Sequence, residues 1–372
     1  MNPMEYAGSA ERALISKASM KHIPVNGSFE LTPVCNMNCD MCYVRLSREE
    51  ADTLGGLRTL DEWMSLIPQL QKAGVLYLLL TGGEPLTYPG FKELYLACRK
   101  AGMIVTVNTN ATLIDEAWAD FFAQYKPRRI NITLYGASDE TYQRLCHHPQ
   151  GFTRTYNAVR LLKERGIDVK IACSLTKLNL CDYEKVLEIG KELDCPVRMD
   201  CYMYPAVRER NKPYNEQVRM DPVTAARTRI KVLRAEMGEE TFRDFVRYHL
   251  HRVDDIVDGT YEGIPMHCLA ASCSFTINWR GYMRPCVVMD EPSVNVFEEG
   301  FENAWKSIVE GCSQFRSHPG CGICRYRAFC DNCVTAAKAE TGAYDGLPEY
   351  ICTYTKESVR LLREAEEQFA GE

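Results

Sequence analysis

The sequence predicts an α/β fold: a partial (β/α)6, TIM-like barrel of parallel strands followed by a small cysteine-rich region. Three observations carry this. Short apolar runs alternate with amphipathic stretches from Phe29 to about Ala235. Cysteines, a Gly-Gly-Glu-Pro turn and an asparagine pair directly follow the first three runs, and βα folds keep their chemistry at those strand ends. After Gly263 the alternation stops and cysteines become dense.

The runs Phe29–Thr32, Val75–Leu80, Met103–Val107, Ile130–Leu134, Val169–Leu175 and Val197–Tyr202 are expected as buried parallel strands, since each is largely apolar. Thr59 with Asp61 and Glu62 opens a helix that Gly74 ends. Phe91–Lys100 forms a second helix, stopped near Gly102, and Phe152–Arg165 a third, stopped by Gly166. Six such units suit an open barrel better than a closed eightfold one. Pro222–Asp258 reads as charged helix leading out of the barrel. Phe275–Arg284 reads as a hairpin turning at Arg280-Gly281. A polar helix from about Glu357 to Phe369 ends the chain. The expected division is 1–27 for an N-terminal extension, 28–235 for the barrel, 236–262 for a helical linker, 263–356 for the cysteine-rich domain and 357–372 for the last helix.

The chain has 372 residues, 46% of them hydrophobic, enough for a sizeable core. Its formal charge of -6 gives no electrostatic reason to expect nucleic acid or an anionic membrane as partner. No apolar stretch is long enough to span a bilayer, and Met1–Met20 lacks the apolar core of a secretory signal. A cytoplasmic protein is expected. In that reducing setting the 18 cysteines point to metal rather than disulfides. Eleven of them cluster at short spacings. The scattered seven (Cys98, Cys146, Cys173, Cys181, Cys195, Cys201 and Cys312) read as small buried hydrophobes.

Cys35, Cys39 and Cys42 form a C-x3-C-x2-C loop just after the first strand. Four thiolates would cap a four-iron cluster completely; three leave one iron open to a cofactor or substrate. A structural zinc site would need a fourth ligand, and no nearby histidine supplies it. With Tyr43 after it, this loop resembles the hallmark of the radical S-adenosylmethionine (radical SAM) superfamily. Thr81-Gly82-Gly83-Glu84-Pro85 is similar to that superfamily's glycine–glycine–glutamate motif: the glycines let the backbone approach the cofactor, and Glu84 holds the methionine ammonium. Asn108-Thr109-Asn110 resembles its third strand end, which makes Asn110 a cofactor contact. Thr133, in Thr133-Leu134-Tyr135-Gly136, matches a position that meets the cofactor's ribose or carboxylate; Tyr135 departs from the usual aspartate and carries no role. Arg154 resembles a basic position that pairs the cofactor's carboxylate, against an even reading as a solvated helix charge. The resemblance implies reductive cleavage of SAM to a 5′-deoxyadenosyl radical, with a flavodoxin- or ferredoxin-type electron donor.

Downstream stand Cys268, Cys273, Cys286, Cys321, Cys324, Cys330, Cys333 and Cys352. Two C-x2-C pairs could hold one zinc, but that leaves four of the eight unexplained. The order resembles the SPASM domain, which carries two auxiliary four-iron clusters. One residue is missing between Cys330 and Cys333 relative to that pattern. The resemblance implies Cys268, Cys273, Cys286 and Cys333 for the inner cluster and Cys321, Cys324, Cys330 and Cys352 for the outer one. It also implies a ribosomally made peptide or small protein as substrate, ending in a thioether, a carbon–carbon cross-link or an epimerised residue. About 30 residues precede the first strand, too few for a peptide-recognition domain, so recognition is expected to need a separate protein or a surface of this one. Alternatives are sulfatase-type oxidation, against which Val287 rather than an aspartate follows Cys286, and modification of haem or a sugar. A non-catalytic electron carrier would need no Gly82-Gly83-Glu84 pocket. The sequence identifies no catalytic acid or base; Tyr202, Tyr204 and Asp290 are candidates to line the pocket.

Overall fold

The computed structural model describes residues 8–205, 218–256, 258–330 and 333–371. Nine strands form one sheet: β1 (Asn26–Glu30), β2 (Tyr77–Thr81), β3 (Ile104–Thr109), β4 (Arg129–Thr133), β5 (Val169–Ser174), β6 (Val197–Asp200), β7 (Ser274–Ile277), β8 (Tyr282–Arg284) and β9 (Val294–Asn295). Their order is β6-β5-β4-β3-β2-β1-β7-β8-β9. The first six run parallel in sequence order and the sheet does not close. This is the open α/β barrel expected from the sequence.

Local signals place the elements. Thr59 caps helix Leu60–Ala73 with Glu62 in a reciprocal capping box, and Gly74 ends it in the left-handed region at φ 86°. Helix Phe91–Lys100 falls where it is expected, and helix Gly151–Glu164 starts and stops one residue early. The charged stretch after Pro222 is two helices, Pro222–Met237 and Glu239–Asp254, because Gly238 at φ 75° breaks it. No described helix is long and apolar enough to cross a membrane.

The strands differ from the expected apolar runs in one respect that matters for function. One face of the sheet is apolar and packs under the helices: Phe29, Leu78, Leu80, Val107, Ile130, Ile132 and Ile171 are buried. The opposite face is polar. In register, Glu30, Thr81, Asn108, Asn131 and Lys170 form a row across β1 to β5. Tertiary burial from the helices satisfies one face only, so the period-two alternation of a one-sided sheet replaces the continuous run of a two-sided one.

The C-terminal region is tied to the barrel by the sheet itself. β7 pairs parallel with β1, from Asn26↔Ser274 to Phe29↔Ile277, and β8 and β9 follow antiparallel. The sheet therefore runs unbroken across the division expected at 262/263. Gly27 makes room for this pairing, since a Cβ there would stand 2.4 Å from the Phe275 ring. The final helix is Glu349–Ala370, eight residues longer at its start than expected, so the division at 356/357 falls inside it. Pro348 just before it marks the true start, whereas the sequence reading stopped the cysteine region after Cys352. That helix packs on Pro222–Met237 and Glu239–Asp254 through Ile230, Phe242, Val246, Val359 and Leu362, a second core outside the barrel.

Candidate active site

The ends of β1, β2 and β3 converge on the loop carrying Cys35, Cys39 and Cys42. The Gly82-Gly83 pair lies against the start of that loop: the Gly83 amide donates to the Thr32 carbonyl at 2.6 Å and the Glu84 amide to the Val34 carbonyl at 3.0 Å. A Cβ on Gly82 would meet the Thr32 carbonyl oxygen at 2.4 Å, and one on Gly83 the Pro33 and Val34 carbonyls at 2.6 Å. Close approach of two backbones requires both glycines before any cofactor is considered.

Glu84 is fully buried. Its Oε1 accepts from the Leu86 amide (3.1 Å) and Thr109 Oγ1 (2.7 Å), its Oε2 from the Asn110 amide (2.8 Å). Burial raises this carboxyl to about 7, although those three bonds favour its charged form. The chain itself occupies most of the carboxylate's acceptor capacity. Glu84 therefore acts on the site through Asn110. The Asn110 amide nitrogen reaches Cys35 Sγ at 3.5 Å and Asn36 Oδ1 at 2.9 Å, and Asn36 in turn donates to Thr112 Oγ1 at 2.8 Å.

Each sulfur of the loop has a donor or a polar neighbour. The Met37 amide points at Cys35 Sγ (3.4 Å) and the Arg45 amide at Cys42 Sγ (3.3 Å). Cys39 shares a hydrogen bond with Cys146, which, with burial, pushes its thiol up. Burial first and the Glu84 charge second push Cys35 up. Raised thiols packed this closely ionise together only against a multivalent cation, and donors aimed at sulfur suit thiolates. The three cysteines thus fit an iron–sulfur cluster with one iron uncapped.

Of the remaining candidates, Thr133 ends β4 and its carbonyl accepts from the Tyr142 hydroxyl at 3.3 Å. Arg154 is exposed on helix Gly151–Glu164, where its charge joins burial in lowering His148; the structure does not bring it to the Glu84 group. Tyr43 lies near Tyr204, whose hydroxyl is held high by burial and by neighbouring Cys333 and Cys286, with Cys333 as hydrogen-bond partner. Tyr204 therefore stands between the first cysteine loop and the C-terminal cysteines. Tyr202 bonds Glu340 Oε1 at 2.9 Å, and Asp290 is exposed and accepts from the Tyr344 hydroxyl at 3.1 Å.

The eight downstream cysteines fall into two groups. Cys268 and Cys286 both lie within electrostatic reach of Cys333, and Cys273 of Cys268; burial is the main cause that raises all three thiols, Cys273 to about 11. Cys352 feels Cys321 and Cys324, and Thr355 one turn on donates to Cys330 Sγ at 3.5 Å. Cys333 thus neighbours Cys268 and Cys286, and Cys330 neighbours Thr355 on the last helix; residues 331 and 332 between them lie outside the described part. One zinc held by both C-x2-C pairs would need them together. Among the described residues no three ligands sit close enough for a single metal ion, while a cubane spreads its thiolates over separate irons. Gly322 lets this region fold tightly, since a Cβ there would stand 2.4 Å from the Thr260 and Glu262 carbonyls.

Sequence reasoning missed Cys146 and Tyr135. The first looks like a core cysteine and the second like a departure from a motif, yet Tyr135 lies half-buried near Cys39, Cys146 and Cys42. Tyr135 is placed there by the end of β4, and Cys146 by the helix end that the cysteine loop caps.

Comparison with known proteins agrees with this geometry. The chain is 25% identical over 350 residues to the AdoMet-dependent heme synthase of Methanosarcina barkeri, covering 88% of this chain and 95% of that one. It is 23% identical to the antilisterial bacteriocin subtilosin biosynthesis protein AlbA of Bacillus subtilis, over 84% of this chain and 67% of that one. It shares its fold with Streptococcus suis SuiB at a TM-score of 0.66 and 18% identity, over 93% of this chain and 83% of that one. Residues 29–189, which hold the cysteine loop, the Gly-Gly-Glu turn and strands β2 to β5, match the radical SAM superfamily, and this part of the chain is a radical SAM domain.

Proposed function

We propose that this radical SAM enzyme is a peptide maturase with three four-iron clusters. One lies on Cys35, Cys39 and Cys42, an inner auxiliary cluster on Cys268, Cys273, Cys286 and Cys333, and an outer one on Cys321, Cys324, Cys330 and Cys352. The observation that carries this reading is Tyr204, which neighbours both Tyr43 of the first loop and Cys333 of the inner group. A substrate held there would sit between the radical source and an electron acceptor. The subtilosin relative supports a ribosomally made peptide as substrate.

When bound, the cluster and SAM supply one-electron cleavage to a 5′-deoxyadenosyl radical that takes a hydrogen atom from the substrate. The chain's residues prepare that step. Glu84, Thr109 and Asn110 fix the strand ends. Gly82 and Gly83 bring the backbone against the loop, and Thr133 offers a hydroxyl at the end of β4. The polar row from Glu30 to Lys170 runs across the face of the sheet opposite the apolar one, with Glu30, Asn131 and Lys170 buried. A flavodoxin- or ferredoxin-type protein provides the electron, and a separate protein or a surface of this chain presents the peptide.

The loaded protein should carry about twelve irons per chain. Cys321→Ala with Cys324→Ala should still make 5′-deoxyadenosine but leave the peptide encoded beside the gene unconverted, both read by mass spectrometry in one vial. Full conversion by the double variant sinks the electron-relay role. The heme synthase relative, matched along 95% of its length, favours a second reading in which the product is haem. Haem formation by the loaded enzyme, without peptide conversion, would replace the first reading with the second.

A further inference from the structure

We propose that the Cys146 thiol donates a hydrogen bond to the Cys39 sulfur of the SAM-binding cluster and thereby sets how readily that cluster accepts its electron. This rests on the placement of that cluster on Cys35, Cys39 and Cys42.

Cys146 is the last residue of helix Asp139–Cys146, and its position is fixed from both sides. The helix ends on the cysteine loop: the Asn38 amide donates to the Cys146 carbonyl at 3.1 Å and the Asp40 amide to the Leu145 carbonyl at 3.0 Å. These are carbonyls that a helix end leaves without an internal partner. His147 then turns into the left-handed region at φ 53°, and its Nε2 lies 2.7 Å from Asp40 Oδ1. The loop amides on either side of Cys39 are thus spent on the helix and cannot serve its sulfur. The thiol of Cys146, buried completely beside Cys39, shares a hydrogen bond with it; once Cys39 ligates the cluster and carries no proton, the proton of that bond is the one on Cys146.

The electrostatics give the donor a purpose. A helix C-terminus brings partial negative charge towards the cluster, which opposes adding an electron. A hydrogen bond to a ligand sulfur does the opposite, since it is strengthened as the sulfur becomes more electron-rich. Water cannot compete for the thiol because Cys146 has no exposed surface. Cys35 and Cys42 receive amide donors from Met37, Asn110 and Arg45, whereas the side-chain partner of the middle sulfur is the Cys146 thiol. Cys146 is a positioning residue: it touches neither substrate nor SAM and acts through Cys39.

The test uses the full, cluster-loaded chain. Cys146→Val keeps the volume and removes the donor; Cys146→Ser keeps a donor. A redox titration followed by electron paramagnetic resonance reads the signal that changes when SAM is added, which belongs to the open-iron cluster. At a fixed potential the reduced-to-oxidised ratio of that cluster should fall about three- to tenfold in Cys146→Val, or roughly 30–60 mV at 59 mV per decade. Cys146→Ser should stay within about twofold of the parent. Loss of that cluster from the valine protein alone, with serine loading normally, also supports a required donor. An unchanged valine protein, equal shifts in both, or loss of the cluster from both would overturn the proposal, the last because the thiol would then be a packing element or a ligand. Survival of the SAM-responsive signal in Cys35→Ala would instead remove the cluster placement on which the proposal rests.

Discussion

The two cysteine regions are built in opposite ways. The loop at Cys35–Cys42 is braced entirely by protein: Asn110 and the Met37 and Arg45 amides hold its sulfurs, helix Asp139–Cys146 holds its backbone, and Gly82 and Gly83 press against its start. The region after Gly263 has strands of two to four residues, helices as short as Pro319–Gly322 and half-buried thiols. A site that must bind and release SAM with one iron uncapped gains from a rigid, preorganised cradle. A fully capped cluster can instead serve as the core of the segment around it, because ligation is folding energy. On the proposed three-cluster reading, the difference teaches that the same element is a guest in one region and a building block in the other.

The largest effect should come from stripping iron. Hydrogen exchange of the iron-free protein should show at least about a hundredfold loss of protection, ~3 kcal/mol, in the segments around Cys268, Cys321 and Cys352, with β2 to β5 little changed. Equal loss in both regions would break the comparison.

Next is Glu84→Ala. Removing the two carboxylate oxygens from a buried pocket strands the Leu86 and Asn110 amides and the Thr109 hydroxyl, at about 1–3 kcal/mol each before relaxation. Thermal melting should show a loss of about 4 kcal/mol, and iron assay a partial loss of the first cluster with the auxiliary ones retained. The same residue gives a pH signature. Because the folded protein raises its carboxyl from 4.5 to about 7, its share of stability is complete below 4.5 and lost as pH rises through about 7. Unloaded protein should lose stability over that window, and Glu84→Gln should flatten the slope.

The link between the regions comes third. Arg219 pairs with Glu340, each about a tenth exposed, stacks 3.7 Å over the Tyr350 ring and lies near Tyr202, which itself bonds Glu340. Glu340→Ala should cost about 3 kcal/mol, the low end for breaking a buried pair. Separate melting of the two regions by calorimetry would show that this contact couples them.

The smallest is Arg154→Ala. Its exposed side chain predicts a stability change within about 0.5 kcal/mol. Calorimetry of SAM binding decides its role, and unchanged affinity leaves it a surface charge.

The barrel was legible because its signals are local. Alternating runs, the Thr59 capping box, Gly74 and the cysteine spacing need no knowledge of distant residues. What stayed hidden depends on pairing over long range. Nothing near Ser274 says that β7 will lie beside β1. Nothing near Cys146 distinguishes it from Cys98, another buried cysteine at a helix end. The polar row from Glu30 to Lys170 is split among five strands, so each contributes one polar residue to an otherwise apolar run. Glu84 shows the converse: its importance was readable from Gly82-Gly83-Glu84-Pro85, but its partners were not, because Thr109 and Asn110 lie a full βα unit away.

The pairing of β1 with β7 also bears on how the chain is made. β1 leads directly into the cysteine loop, yet its outer neighbour is not synthesised until about 250 residues later, roughly 12–50 s at ribosomal speeds. Throughout that interval the nascent barrel presents an open parallel edge, the kind of surface that recruits stray strands. Arrival of Ser274–Ile277 closes that edge from the far side of the translated message. Translation thus places completion of the catalytic half in the hands of a segment made about three-quarters of the way along the chain, and a ribosome that stalls before codon 274 leaves a product whose first strand is still unsheltered.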